Sequence, residues 1–338
     1  MKIIVDGFGG DHAPLAVLQG CEQAAAEYGV DLIVTGDEQK LRQVAAENGV
    51  DLTKMEIVHA PSVIPVEAEP RTVMTDYADS SMAVAFKLLA EGRGDAVVCA
   101  GSTGAIVMGA SLMVKRIKGI KRASLAPIMP SESGCYILLD AGANLECRPE
   151  MLLQFGVMGS IYMEKVMNVQ KPRVALVNIG AEETKGGELQ VESYQLFQKS
   201  GLINFTGNIE PRYIPRGDAD VVIADGFTGN VVLKLTEGLG KMINNTFKDM
   251  FLSGLKGKLA ALLVMKKIKA FKKKMDYTEY GGAPLLGTAK AVIKAHGSSN
   301  AKAFKNAIRQ ARDFVQEGVI EQITAAVAEL KQRPADSE

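Results

Sequence analysis

The sequence predicts an α/β protein built on a mostly parallel sheet, and two observations carry that expectation. Short, nearly continuous apolar runs recur along the 338 residues, and each is followed by a glycine-rich turn and a stretch with helical spacing. Runs that are apolar on both faces suit strands covered on both sides. Strands that alternate with helices need crossover connections, which leave neighbouring strands parallel.

The runs occupy residues 2–6, 31–35, 95–100, 135–140, 173–178 and 220–225. No Pro-, Gly- or Ser-rich linker interrupts them, so residues 1–332 are expected to form one domain, with room for two lobes. The tail at 333–338 is expected to be disordered. Hydrophobic residues make up 47% and charged residues 23%, enough for a sizeable core. The 39 basic and 39 acidic residues cancel, which argues against a nucleic-acid partner. Residues 1–6 read as a first strand rather than a signal peptide, and no apolar run approaches the roughly 20 residues that cross a bilayer. The four cysteines show no CxxC pair, and the histidines at 12, 59 and 296 are too scattered for a zinc set. A cytoplasmic protein without a metal is the expectation.

The glycines carry more information than the composition. Turns at 6–14, 101–105, 140–144, 178–187 and 225–230 each follow an apolar run and carry Asp, Asn, Ser, Thr or Lys. Ligands of open parallel sheets bind beyond the carboxyl ends of the strands. Backbone N–H groups and helix amino ends collected there suit an anion. A dinucleotide fingerprint counted from Gly7 fails at its sixth position, which is His12. Gly180 to Lys185 has the wrong spacing for a P-loop, with Gly186 where Ser or Thr is required. There is no G-x-S-x-G nucleophile elbow.

Six stretches, in order and spanning most of the chain, resemble the phosphate acyltransferases of bacterial phospholipid synthesis (acyl-acyl carrier protein:phosphate transacylases). They are Gly9-Gly10-Asp11-His12-Ala13-Pro14, Ser102-Thr103-Gly104-Ala105, Gly142-Ala143-Asn144, Asp225-Gly226-Phe227-Thr228-Gly229-Asn230, Tyr280 to Gly287, and Lys294-Ala295-His296-Gly297-Ser298-Ser299. The sequence departs at Gly7-Phe8, where the family usually has Ala-Met, and at Ser102, where Asn is common. The resemblance implies a three-layer α/β/α sandwich like that of isocitrate and isopropylmalate dehydrogenases, and a homodimer. It implies transfer of an acyl group from acyl carrier protein to inorganic phosphate, with no cofactor. It also implies peripheral membrane association beside a membrane glycerol-phosphate acyltransferase that uses the product.

Phosphate is already anionic near neutral pH, so such a reaction needs positioning and charge compensation more than a strong base. Lys185 is the first choice for that charge, because it sits in a strand–glycine loop–helix turn. Asn144 and Asn230 offer amide donors at loop tips, and His12 and His296 are candidate proton donors to the leaving thiol. Gly9, Gly10, Asp11, Ser102, Thr103, Gly104, Gly142 and Gly229 are the candidate binding loops. Asp11 serves equally as a cap for a helix begun at Pro14, and Ser298 either binds phosphate or, with Ser299, caps the helix from Asn300. Nothing beside Cys147 looks like a base, which disfavours a cysteine acyl-enzyme.

Residues 250–275 contain eight lysines and no acid, with leucines at helical spacing. Leu255, Lys258, Leu259, Leu262 and Lys266 there suit an anionic lipid surface or an acidic carrier protein, with lipid favoured. A second cluster, Lys115, Arg116, Lys118, Lys121 and Arg122, suits the carrier protein. Three rivals stand beside this reading. They are a transacylase using acetyl-coenzyme A, a nicotinamide-dependent dehydrogenase of the related fold, and a membrane-associated phosphate-binding scaffold.

Overall fold

Each predicted run is a strand in the structure, a computed structural model that describes residues 1–252, 254, 263–268 and 277–332. The strands divide between two sheets instead of joining one. The first sheet contains β1 (Lys2–Asp6), β2 (Asp31–Gly36), β3 (Met55–His59), β4 (Ala96–Cys99), β5 (Ser124–Leu125), β11 (Ala283–Leu286) and β12 (Ala291–Lys294), in the order β3-β2-β1-β4-β12-β11-β5. Its strands are parallel from β3 to β12, and β11 runs antiparallel to both β12 and β5. The second contains β6 (Ile128–Ser131), β7 (Gly134–Leu139), β8 (Arg173–Val177), β9 (Asn204–Ile209) and β10 (Val221–Ile223), in the order β6-β7-β10-β8-β9. Only the β6–β7 hairpin is antiparallel there.

Helices cover both faces of each sheet. The first sheet lies between α1 (Leu15–Tyr28) with α8 (Ala301–Gln316) on one side and α3 (Ser81–Ala90) with α4 (Thr103–Gly109) on the other. Helix α2 (Glu38–Asn48) lies alongside β3 and α1. In the second sheet α5 (Pro149–Lys165), α6 (Glu188–Ser200) and α9 (Val319–Gln332) face α7 (Gly226–Leu252) and a 3-10 turn at Pro211–Arg216. One apolar core runs from Ile3 and Val5 through Ile308 and Phe314 to Tyr162, Leu139 and Ile223, so it joins the two sheets.

Local chemistry sets the helix ends. Asp37, Ser80 and Asn300 accept N–H bonds from the first turns of α2, α3 and α8, as capping side chains do. Asn300, rather than Ser298 or Ser299, therefore caps α8. Pro14 precedes α1, and no side chain caps that helix, so Asp11 is not its cap. Gly29 and Gly49 stop α1 and α2 at φ +65, a conformation that glycine adopts without strain.

Among the described residues no helix is long and apolar enough to cross a membrane. Leu255, Lys258, Leu259 and Leu262 lie outside the described residues. Lys266 falls in a helical segment at 263–268 and is exposed.

Candidate functional site

Strands β1 and β4 are neighbours, but the chain leaves β1 for β2 on its other side. Such a reversal leaves a crevice beyond the carboxyl ends of the strands. A cavity of about 720 Å³ opens there, and the ends of β1, β4 and β12 meet α7 across it.

Its floor is Asp6, the last residue of β1, buried and lining the cavity. The Phe8 N–H donates to Asp6 Oδ1 at 3.2 Å and the Cys99 thiol donates to Oδ2 at 2.9 Å. Ser81 and the Gly9 N–H add further bonds. Burial nevertheless pushes the Asp6 carboxyl above its usual range, and the Cys99 thiol is driven up and stays protonated. Gly9 is dictated by close approach, because a Cβ there would stand 2.7 Å from Asp6 Oδ2 and 3.0 Å from the Ala100 and Gly101 nitrogens. Gly10 turns at φ +100 against the Gly297 carbonyl, which accepts the Asp11 N–H at 2.8 Å.

On one wall, Ser102, Thr103 and Gly104 begin α4. The Ser102 side chain makes no capping bond, so first-turn N–H groups remain available to a ligand. The opposite wall is one face of α7, where Asn230, Leu233, Lys234 and Glu237 follow helical spacing. Lys234 pairs with Glu237 at 3.0 Å.

Lys294 and His296 come from the end of β12. Desolvation pulls the Lys294 ammonium below its usual value, and among the described residues it makes no hydrogen bond or ion pair. A buried cation without a partner invites an anion. The Ser298 N–H donates to His296 Nδ1 at 3.2 Å, with the Ser298 hydroxyl 2.8 Å away. This leaves the proton on Nε2, which lies 3.9 Å from Glu237 Oε1. Burial lowers the imidazole's pKa, so the neutral form dominates near pH 7. The rest of the cavity is apolar, lined by Val63, Ile64, Val66, Met82, Leu125, Ile128, Met129 and Leu233.

The structure gathers Gly9, Gly10, Asp11, Ser102, Thr103, Gly104, Gly142, Asn230 and His296 around this cavity. It does not bring Lys185 there. Lys185 lies exposed on the loop after β8, its carbonyl accepting from Asn178 Nδ2 at 2.9 Å. His12 is exposed beside Asn300 in a separate shallow recess. Asn144 is occupied, donating through Nδ2 to the Ala123 carbonyl at 2.7 Å and to buried Asp140 at 2.9 Å. Gly229 serves packing, because a Cβ there would strike the Asp140 carbonyl. Ser298 orients His296. Cys147 is pushed up to about 12 by burial, which keeps it a protonated, poor nucleophile. Lys115, Arg116 and Lys121 are exposed outside the cavity, and Arg116 and Lys121 line a second recess. Among the described residues no group of three or more His, Cys, Asp or Glu side chains could hold a metal ion.

Asp6, Lys234, Glu237 and Lys294 were missed as individuals. Signals existed for two of them, since Asp6 is a charge ending an apolar strand and Lys294 opens the Lys294–Ser299 motif.

Comparisons with known proteins bear on the family and the fold. A phosphate acyltransferase of Alkaliphilus oremlandii is 48% identical over 330 residues, 98% of each chain. One from Clostridium acetobutylicum is 45% identical over 331 residues, covering 98% of this chain and all of that one. Among solved structures, the EutD phosphotransacetylase from Staphylococcus aureus superposes with a TM-score of 0.62 at 18% identity, covering 96% of this chain and 94% of that one. A phosphotransacetylase from Streptococcus pyogenes gives 0.61 at 17% identity, covering 97% and 94%. At such identities the superpositions speak for the fold, a three-layer α/β/α sandwich. Residues 1–322 match the family described as fatty acid synthesis protein, and the chain belongs to that family.

Proposed function

We infer that this chain is an acyltransferase that moves a fatty acyl group from a carrier-protein thioester to inorganic phosphate, releasing an acyl phosphate for phospholipid synthesis. The observation that carries the reading is one cavity with two chemistries, a cationic glycine-lined end at Lys294 and an apolar bed from Val63 to Met129. Its relatives' name, phosphate acyltransferase, supports the same reaction.

Phosphate would sit at the Lys294 end, with α4 first-turn N–H groups and the Asn230 amide as donors. The acyl chain would lie on the apolar bed, presenting its thioester carbonyl to the phosphate. A phosphate oxygen forms the new C–O bond, negative charge gathers on the carbonyl oxygen, and the C–S bond breaks to give a thiolate. The neutral imidazole of His296 offers its Nε2–H as a hydrogen bond to the developing charge, and the thiolate takes its proton from solvent. Positioning and electrostatic stabilisation suffice, because phosphate arrives ionised.

The reading extends to assembly. Helix α7 exposes Val231, Leu235, Leu239, Met242 and Ile243, an apolar stripe that a second copy would cover in a homodimer. Exposed Leu263, Val264 and Met265 beside Lys266 and Lys267 suit a peripheral position on an anionic membrane, where a membrane acyltransferase would take the product.

The test follows thiol release from a long-chain acyl-carrier protein, with and without phosphate, trapping acyl phosphate with hydroxylamine. Phosphate-dependent release with a trapped hydroxamate is expected. Lys294→Ala should lower kcat/KM about 100-fold, chiefly through KM for phosphate, whereas Lys185→Ala should change it less than about threefold. Release that ignores phosphate, or a larger loss from Lys185→Ala, overturns the assignment.

A further inference from the structure

Outside the cavity lies a recess of about 530 Å³ lined by four cations, Arg116, Lys121, Arg122 and Arg148, and, among the described residues, by one acid, Glu146. Residues 115–122 hold five cations in eight positions, all exposed. Among the described residues, none of Lys115, Arg116, Lys118, Lys121, Arg122 or Arg148 joins an ion pair, although such pairs occur elsewhere on the surface. The cations repel one another, and among the described residues no ion pair offsets that repulsion. The amino end of α5, whose N-cap is Arg148, adds positive potential.

The platform is built, not loose. Ile117 and Ile120 are buried in the main core beneath it. Gln154 grips the loop twice, accepting the Lys121 N–H at 2.9 Å and donating to the Gly119 carbonyl at 3.0 Å. The Arg116 guanidinium donates to the Lys121 carbonyl. The Ile117 N–H bonds to the Gly287 carbonyl at 3.0 Å, and Lys115 is held at φ 70, ψ 174, a conformation otherwise left to glycine. Asn144 ties the 140–144 loop to Ala123 at 2.7 Å, a direct bond between the segments that carry the recess and the cavity wall.

The recess is also close to the cavity. Cavity-lining Leu125 lies three positions beyond Arg122, and Glu146 lies four beyond cavity-lining Gly142. Those spans are at most about 11 Å and about 14 Å of extended chain.

We propose that this basic recess is the docking surface on which an acidic carrier protein sits while its tethered thioester reaches into the cavity. The proposal rests on the acyltransfer reading above and assigns its donor a place. A donor on a flexible arm needs a dock within arm's length of the reacting atoms, and the recess meets that condition. Its concavity fits a convex folded domain, whereas a flat bilayer would leave it unfilled. Exposed Leu112 and Leu145, on the segments beside it, supply apolar contact within a charged rim.

The test compares wild type with a Lys121→Glu/Arg122→Glu/Arg148→Glu variant. Arg116 is spared because it braces the loop, and Glu is tolerated at the helix-capping position 148. Affinity for a carrier protein bearing a non-reactive acyl thioether is read by fluorescence anisotropy at low and moderate salt. Turnover is read with the carrier-borne thioester and with a carrier-free acyl-pantetheine. The variant is expected to bind the carrier at least about tenfold more weakly at low salt, with a gap that narrows as salt rises. Its kcat/KM for the carrier-borne donor should fall in step, while turnover of acyl-pantetheine should change less than about twofold. Unchanged carrier affinity overturns the proposal. So does retained carrier affinity with lost binding to phosphatidylglycerol vesicles, which would assign the recess to a membrane. Wild type that binds the carrier through these residues yet forms no acyl phosphate overturns the acyltransfer reading alone and upholds the dock. If the triple variant melts early, Lys118→Glu is read in the same way.

Discussion

At the scale of single residues, desolvation inside the cavity distinguishes the side chains that matter from those that merely have the right chemistry. Lys185 and Lys294 are both lysines near the ends of parallel strands, but Lys185 stands in solvent and Lys294 is desolvated in the cavity. His12 stands exposed outside the cavity, whereas His296 is half-buried in its lining and held by Ser298. His296 also gives a pH prediction. Its imidazole is held below its usual value when folded, so the unfolded chain binds the proton more readily once pH falls below about 6.5. The folded state therefore loses stability as pH drops through that window, and gains nothing further from this group above it. Thermal midpoints measured between about pH 5 and 7 should rise with pH in wild type. The slope should be smaller in His296→Gln, and an equal slope would assign it to other groups.

At the scale of elements, α7 carries the divided loyalties of the site. One face lines the cavity with Asn230, Lys234 and Glu237, and its first turn is pressed against the Asp140 and Asn144 carbonyls. Asp225 prepares that turn by accepting the Thr228 N–H at 2.9 Å and hydroxyl at 2.7 Å. Two glycines in this helix should respond oppositely to alanine. Gly229→Ala forces a methyl into the Asp140 carbonyl and should destabilise by about 1–3 kcal/mol. Gly240 faces open space and should gain about 0.5–1 kcal/mol. Denaturant unfolding of both variants checks the contrast, and a neutral Gly229→Ala would mean that the helix start shifts freely.

For the whole molecule, the link between the two sheets is the structural question. Tyr162 on α5 accepts a buried 2.8 Å bond from Gln310 Nε2 on α8. Gln310 Oε1 in turn accepts the N–H of cavity-lining Gly282 at 2.7 Å. Helices of both sheets and one cavity wall thus share a buried chain of hydrogen bonds. Tyr162→Phe removes the acceptor and orphans the Gln310 donor, an expected loss of about 1–3 kcal/mol. A melting temperature equal to wild type would show that this link carries no stability.

Which segments become strands was legible in the sequence alone, because short β-branched runs that are apolar on both faces and bounded by glycine turns suit strands inside a covered sheet. Residues 2–6, 31–35, 95–100, 135–140, 173–178 and 220–225 declared themselves in that way, and the glycine turns marked the loops that gather beyond them. The short or alternating strands β3, β5, β6, β9, β11 and β12 lacked that signal, and their partners are set by neighbours distant in the chain. Tertiary structure alone decided that two sheets form, and that β12 enters beside β4 to carry Lys294 and His296 to the cavity. It alone exposed Lys185 and His12 and spent Asn144 on a carbonyl. The physical reason is that residue type and spacing are local properties, whereas desolvation and the absence of a partner depend on everything packed around a group.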